Sequence, residues 1–516
     1  MAKNEYDIPV LPADPELLSA PELRVPESAG KQCYPAAPAH QEALGYPPEP
    51  PEDWKERALA KFEELLQRNR ALRVSLDACV RCGACTDKCH YFLGTGDPKN
   101  MPVARQNLLR DVYRRYFTAA GRNFPTLVGA KDLTREMMED WYNYFHQCSQ
   151  CRRCSLFCPY GIDTAEISMA AREIMDAAGF GQKYSNEIIG KVFKTGNNLG
   201  LPGPALLDTL EGLEEDLEDD TGHKIRIPLD QKGADVLLVT PSADFFAEPH
   251  IDGLMGYAKV FHQAGLSWTV STKASEAANF AMFIGSYEHM RTIALRIREA
   301  ALELGVKRIV VGECGHAWRV AYSFWNTLAG VGHGADPNDQ FARALQDQLD
   351  PNYPAPQHIC EMTFDLMQKG ALKLDPEAND DMALTFHDSC NVARASRMGD
   401  KPGGQFTIPR ELLRASVRRF HDMADSTIGA ETFCCGGGGG LLTDELMELR
   451  VKGAMPRMTA LQTVMEEHSV THMAAICAIC KTQFAKVMPY YDIPMDRIIS
   501  VHQVVGNALR LDRQEI

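Results

Sequence analysis

From Trp54 onward apolar residues recur at helical spacing: Ala58, Phe62, Leu65 and Leu66 form one face among Glu, Lys and Arg, which predicts a helix leading into the first cysteine-rich stretch. The same periodicity returns over residues 103–117, 133–145, 165–178 and 186–193. The early part of the chain therefore reads as mainly helical. Past an acidic run at 211–220, expected to be a solvated helix end or linker, the period changes. Residues 234–240 are almost continuously apolar, as in a buried strand, and are followed by a helix at 254–264, a strand at 266–270, a helix at 292–304 and a strand at 308–311. The order then repeats, with a strand at 384–386, a helix near 456–467 and a strand at 472–476, and stretches 358–366 and 499–509 close the two halves. Two copies of one α/β unit are predicted. The resulting division is a proline-rich arm at 1–53, a helical domain at 54–200, an acidic linker at 201–232 and α/β domains at 233–379 and 380–516.

Composition sets limits on this picture. A chain of 516 residues, 45% hydrophobic and 24% charged, is globular and too long for one core. No apolar run approaches the roughly 18 residues that cross a bilayer, and the charged, then proline-bearing start is not a secretory leader. A cytoplasmic protein, peripheral to a membrane only through partners, is expected. A net charge of −15 argues against nucleic acid. The arm can be a disordered tail or a segment wrapped on a neighbouring subunit, with Leu17, Leu18, Leu23 and Tyr34 to bury; its Cys33 reads as an unligated thiol.

Sixteen cysteines, many in CxxC spacing, point to metal ligation rather than disulfides. Cys79, Cys82, Cys85 and Cys89, and again Cys148, Cys151, Cys154 and Cys158, follow the CxxCxxCxxxC spacing of two-cluster ferredoxins, in which the fourth thiolate of each run crosses to the other cluster. One cubane [4Fe–4S] cluster is expected on Cys79, Cys82, Cys85 and Cys158, and a second on Cys148, Cys151, Cys154 and Cys89. Crossing clamps the two within electron-transfer range. Pro159 follows the second run, whereas His90 occupies the matching place in the first, and Arg152 and Arg153 are expected to face solvent.

A third group lies in the last third of the chain: Cys390, the adjacent Cys434 and Cys435, and the CxxC pair Cys477 and Cys480. Five thiols exceed the four of a structural zinc, and oxygen-poor surroundings favour iron–sulfur chemistry. The glycine run 436–440 can take positive φ, approach a cluster and aim N–H groups at sulfur, which makes Gly436 and Gly437 candidate cofactor-binding residues. In the first α/β unit Cys314 stands at the place of Cys477, but Ala317 replaces Cys480, Pro241 and Ser242 lie at the place of Cys390, and no adjacent pair occurs near Ser271 and Thr272. That unit is degenerate. Cys314 and His316 can approach the other unit's cluster from across the pair, while Cys360 reads as a small buried hydrophobe.

Cysteine, then CCG, then CxxC is the CCG-domain pattern, and two ferredoxin motifs followed by two CCG domains resemble the catalytic subunits of membrane heterodisulfide reductases. Over residues 55–516, with the proline-rich arm, the stretch 101–116 and the degenerate first unit, the chain is most similar to their sulfite-reduction-associated branch, the DsrK family. The gaps from Cys390 to Cys434 and from Cys435 to Cys477 are longer than in heterodisulfide reductases themselves. The resemblance implies an α plus α/β fold: a helical two-cluster ferredoxin domain, then two pseudo-repeated α/β CCG domains, the first degenerate. It implies a noncubane [4Fe–4S] cluster on Cys390, Cys434, Cys435, Cys477 and Cys480, acting on a disulfide or trisulfide of a DsrC-like sulfur-carrier protein. Electrons would pass through the two cubane clusters to or from a quinone-linked membrane cytochrome b subunit of DsrM type, within a DsrMKJOP-like complex on the cytoplasmic face. Protonating a leaving thiolate calls for an acid, and His387, Asp388 and His316 are the candidates. The rival expectation is an electron-relay subunit of a flavin-dependent glycerol-3-phosphate or 2-hydroxyacid dehydrogenase, although no GxGxxG follows a strand here. Clusters that only staple the fold are a third reading, but three sites exceed what stability needs.

Overall fold

The computed structural model describes residues 47, 49–274, 279–323 and 356–511. Nearly all of the arm, with Cys33, lies outside the described residues.

The architecture is mixed helical and α/β, as the periodicity implies. In the helix Trp54–Arg68 the anticipated face of Ala58, Phe62, Leu65 and Leu66 is buried. It packs on Thr164–Ala177, which Asp163 caps by accepting from the N–H groups of Ala165 and Glu166. Pro102 opens the helix Pro102–Phe117, where its missing N–H costs nothing. These helices share a core with Trp141, Tyr142 and Phe145, to which Leu441, Leu446 and Leu449 of the last third also belong. The cysteine-rich helical domain and the final unit are thus built around common apolar contacts rather than joined by a tether.

Residues 201–232 are not an open linker. Gly203–Thr221 is a helix whose Leu206, Leu210, Leu213 and Leu217, spaced three or four apart, are buried in the core of the α/β units while its carboxylates face outward. The acidic run is the polar face of an amphipathic helix.

Two parallel sheets follow. The first has the order β2-β1-β3-β4, with β1 at Val236–Val239, β2 at Trp268–Thr269, β3 at Arg308–Val311 and β4 at Gln357–His358. The second has the order β5-β6-β7, with β5 at Leu384–His387, β6 at His472–Ala475 and β7 at Ile498–Ser500. β5-β6-β7 runs in the same order and direction as β1-β3-β4. A local device recurs as well: the helix after β4 opens on a capping box of His358 and Glu361, and the helix after β7 on one of Ser500 and Gln503. The two units meet through His250–Gln263 and Val501–Ala508, where a Cβ on Gly256 would collide with the His502 carbonyl.

The helix expected near 456–467 begins earlier, at Met447, and carries Pro456 inside it. Its first half packs against His90–Thr95, and this tertiary contact overrides the proline's lost hydrogen bond. Among the described residues no helix is long and apolar enough to cross a membrane.

Candidate metal centre

The first ferredoxin-like loop is shaped by two left-handed residues, Arg81 at φ 57° and Gly83 at φ 79°; in the second, the matching positions Gln150 and Arg152 take φ 57° and 61°. Two unrelated sequences adopt one loop geometry. Cys79, Cys82, Cys85 and Cys158 line a single pocket, so the crossing of the last cysteine to the first run is present. Cys82 is exposed and its three partners are half-buried.

The second set lies deeper. Burial pushes the Cys154 thiol up, with Cys148, Cys85 and Cys89 adding to it as neighbouring sulfurs. Arg105, itself buried, donates to Cys89 Sγ at 3.5 Å and to the Tyr144 carbonyl at 2.9 Å. Cys151 instead carries its thiol to Cys434, a hydrogen bond that joins the second run to the third group.

Arg152 and Arg153 do not face solvent. Arg152 pairs with Asp163 at 3.0 Å and with Glu166, which holds its left-handed backbone in place. Arg153 is buried; its Nε donates to the Glu431 carbonyl at 2.9 Å and its guanidinium lies 3.8 Å from the centroid of the Phe433 ring. Arg153 thus belongs to the joint between the second cysteine run and the segment that delivers Cys434, while Arg152 ties that run to the start of the Thr164–Ala177 helix.

The third group gathers at the C-terminal ends of parallel strands, where α/β folds place ligands. Cys390 opens the helix Cys390–Ala395 just past β5, Cys477 follows β6, and Cys480 sits in the first turn of Ala478–Val487. All five thiols are buried. All five are free thiols; Cys390 and Cys434 stand 4.0 Å apart, and Cys480 lies within hydrogen-bonding reach of both Cys435 and Cys477. Hydrogen bonds from Cys151, Cys390 and Cys435 hold the Cys434 thiol well below the ordinary range. Burial works against ionising Cys477, but hydrogen bonds from Cys314, Cys480 and His316 outweigh it and lower that thiol too.

The glycine run makes the closest approaches. Gly436 N–H donates to Cys434 Sγ at 3.4 Å and Gly437 N–H to Cys435. At φ +90° a Cβ on Gly436 would stand 2.9 Å from Ala454 N, and one on Gly439 2.7 Å from the Cys148 carbonyl. Gly436→Ala is expected to cost about 2–3 kcal/mol from overpacking and positive φ together. Thermal unfolding should show a lowered midpoint, with iron lost from the purified protein.

Several buried polar groups complete the site. His316 Nδ1 lies 3.7 Å from Cys477 Sγ, and its Nε2 is buried without a partner, facing Gly438. His387 is buried with neither ring nitrogen paired; burial, with Arg457 nearby, pushes it down to about 3 and leaves it neutral. Asp388 is committed to Arg410, through two 2.8 Å bonds, and to Gly429 N–H, so it orients the turn before Cys434. Cys314 meets Cys477, whereas Cys360 is fully buried and its thiol is pushed up by burial and by the Glu313 carboxylate. His90, met in the sequence only as a departure from proline, bridges the parts: Nδ1 is 2.7 Å from the Gly453 carbonyl, Nε2 is 2.7 Å from Ser149 Oγ, and the ring bonds to Cys434. Its position beside a cysteine, outside the expected pattern, was the available signal.

Among the described residues no three His, Cys, Asp or Glu side chains converge to hold a single metal ion. The donor set is sulfur with backbone N–H groups aimed at it, and the carboxylates nearby are spent on arginine and lysine. These residues fit iron–sulfur clusters and do not fit a hard cation.

Cysteine loops of this geometry beside a buried thiol group define an iron–sulfur electron-transfer oxidoreductase. The 4Fe-4S dicluster domain family matches residues 75–162. Over 477 residues the chain is 43% identical to the Hdr-like menaquinol oxidoreductase iron-sulfur subunit of Archaeoglobus profundus, covering 89% of this chain and 84% of that one. It is 43% identical over 476 residues, with the same coverage of 89% and 84%, to the Hdr-like menaquinol oxidoreductase iron-sulfur subunit 2 of Archaeoglobus fulgidus. A more distant relative, from the dihydromethanophenazine:CoB–CoM heterodisulfide reductase of Methanosarcina barkeri, is 23% identical over 419 residues, 79% of this chain and 88% of that one. No solved structure matches significantly. The chain belongs to the family of Hdr-like oxidoreductase iron–sulfur subunits.

Proposed function

We propose that the chain is the sulfur-reducing subunit, or in reverse the sulfur-oxidising subunit, of a DsrK-type menaquinol-linked complex. Its substrate in this reading is a disulfide or trisulfide on a DsrC-like carrier, and its electron partner a DsrM-like membrane cytochrome b subunit. The observation that carries the reading is a graded line of thiols. It starts at exposed Cys82, passes through a second set in which Cys89 and Cys151 are buried, and reaches the fully buried group where the Cys151 thiol meets Cys434. The outer set, Cys79, Cys82, Cys85 and Cys158, would hold the cubane cluster that meets the electron partner. The inner set, Cys89, Cys148, Cys151 and Cys154, would hold the second, and Cys390, Cys434, Cys435, Cys477 and Cys480 a noncubane [4Fe–4S] cluster.

When bound, such a cluster supplies iron that takes a sulfur atom and electrons that cleave an S–S bond. The chain's own part is to lower the Cys434 and Cys477 thiols through their hydrogen bonds, to exclude water by burying all five sulfurs, and to present Gly436 and Gly437 N–H groups to them. His316, with its unpaired buried Nε2, is the side chain placed to hold a proton for a departing thiolate; His387, neutral and enclosed, is not. The first α/β unit is in this reading a degenerate CCG domain packed on its complete twin.

EPR on anaerobically prepared protein tests this. The oxidised protein is expected to give a paramagnetic signal that changes when the thiol-bearing carrier is added and disappears in Cys434→Ser and Cys435→Ser. Reducible cubane signals alone, indifferent to thiol, would make the chain an electron relay for chemistry on another subunit.

A further inference from the structure

The loop at 313–316 closes the first α/β unit's β3, in the half whose cluster ligands are missing, yet it is tied to both loops that carry the second unit's cysteines. Ala478 N–H, between Cys477 and Cys480, donates to the Glu313 carbonyl at 2.8 Å. The Glu313 carboxylate reaches Lys481, the residue after Cys480, at 3.2 Å. On the other side Gly315 presses against Ser389, just before Cys390, so closely that any Cβ would collide with the serine hydroxyl. Between these two ties lies Cys314, 1% exposed, whose thiol bonds to Cys477 and accepts from Ala317 N–H at 3.4 Å. Two residues on, His316 is also 1% exposed; it turns Nδ1 to Cys477 and leaves Nε2 unpartnered toward the glycine run.

A cysteine kept only as a small hydrophobe needs apolar neighbours. Cys314 lies in the same apolar core as the five cysteines of the third group and, like them, has polar partners at its sulfur as well: the Cys477 thiol and the Ala317 N–H.

We propose, resting on the cluster assignment above, that Cys314 is a sixth sulfur of the third cluster site, supplied by the first α/β unit, so that the site is complete only where the two units join. The first unit, which lacks the matching cluster residues, supplies through Cys314 a thiol that meets Cys477 of its twin. Cys314 and His316 both meet Cys477. A sixth thiolate there adds negative charge at the cluster and lowers the potential at which it is reduced.

The test uses the whole protein, isolated anaerobically, as wild type, Cys314→Ser, Cys314→Ala and Cys434→Ser. Cys360→Ser, a buried cysteine of the same unit, is the control. Cys314→Ser is expected to keep its iron and its reducible cubane signals while shifting the g-values of the oxidised signal and raising its midpoint potential; Cys360→Ser should match wild type. Loss of the third signal alone in Cys314→Ala supports the assignment equally. Wild-type g-values and potential in Cys314→Ser, a near-isosteric change chosen because it should fold where alanine would leave a cavity, overturn it. If that null result accompanies a signal lost in Cys434→Ser, only the sixth sulfur falls; if wild type gives no oxidised signal, the cluster assignment itself falls and Cys314 with it.

Discussion

Replacing Arg172 by methionine should uncouple the second cysteine run from the glycine run and cost stability of the order of 3–5 kcal/mol. Arg172 is 1% exposed. Nη2 donates to the carbonyls of Phe145 at 2.7 Å and Cys148 at 2.6 Å, and Nη1 to those of Phe283 at 2.7 Å and Gly439 at 3.1 Å. Burial lowers this guanidinium to about 10, still far enough above neutrality to leave it charged. Methionine of similar length fills the space but donates nothing, so buried carbonyls from three separate segments lose their partner at once. Two of these, on Cys148 and Gly439, belong to the loops that set the distance between the second and third thiol groups. The denaturant midpoint should fall, and the rate at which electrons reach the third site should fall further than the stability alone requires. Arg172→Lys, whose single ammonium has three donors in a tetrahedral arrangement, should lie between the two. Rates equal to wild type in folded Arg172→Met would show that the arginine serves the fold only.

Much of this was legible because iron–sulfur ligation imposes spacing. The crossing of Cys158 to the first run could be anticipated from the motif alone, since a fixed loop geometry is the only way to aim three close thiols at one point. The strands were legible for a related reason: 234–240 and 308–311 are apolar on both faces, as parallel strands must be. What failed to show was long-range. The leucine stripe of Gly203–Thr221 lies interleaved with carboxylates, and charge density hid its period. Arg152 and Arg153 looked like solvent-facing charges because their partners, Glu166 and Glu431, and the stacking ring of Phe433 come from segments 14 to 280 positions away, and no local pattern announces such contacts. The same applies to His90, whose three neighbours Ser149, Cys434 and Gly453 come from two different loops and a helix.

Glu313→Gln should be the most damaging change in the joint between the two α/β units, and its signature should depend on pH. Glu313 is fully buried, with Lys481 Nζ at 3.2 Å, His502 Nδ1 at 2.7 Å and His502 N–H at 2.8 Å. Burial opposes its ionisation, yet Lys481 and His502 prevail and hold the carboxyl at about 2, against an ordinary 4.5. A carboxyl depressed in the folded state binds fewer protons than it does in the unfolded chain. Its contribution is therefore complete above about pH 4.5 and is lost as pH falls toward 2. Glutamine leaves the Lys481 ammonium buried without its hydrogen-bonded counter-charge, a loss of about 3–5 kcal/mol at neutral pH. Urea unfolding at pH 7, 5, 4 and 3 should show a wide gap between wild type and Glu313→Gln at the upper values that narrows through the lowest. Adding Lys481→Met should restore most of the neutral-pH loss, because it removes the stranded charge rather than the pair's attraction. A gap of constant size across that range would place the cost in packing, not in the ion pair. The consequence for the site is direct, since Glu313 precedes Cys314 and Lys481 follows Cys480: the same pair that joins the units also fixes the thiols on either side of the joint.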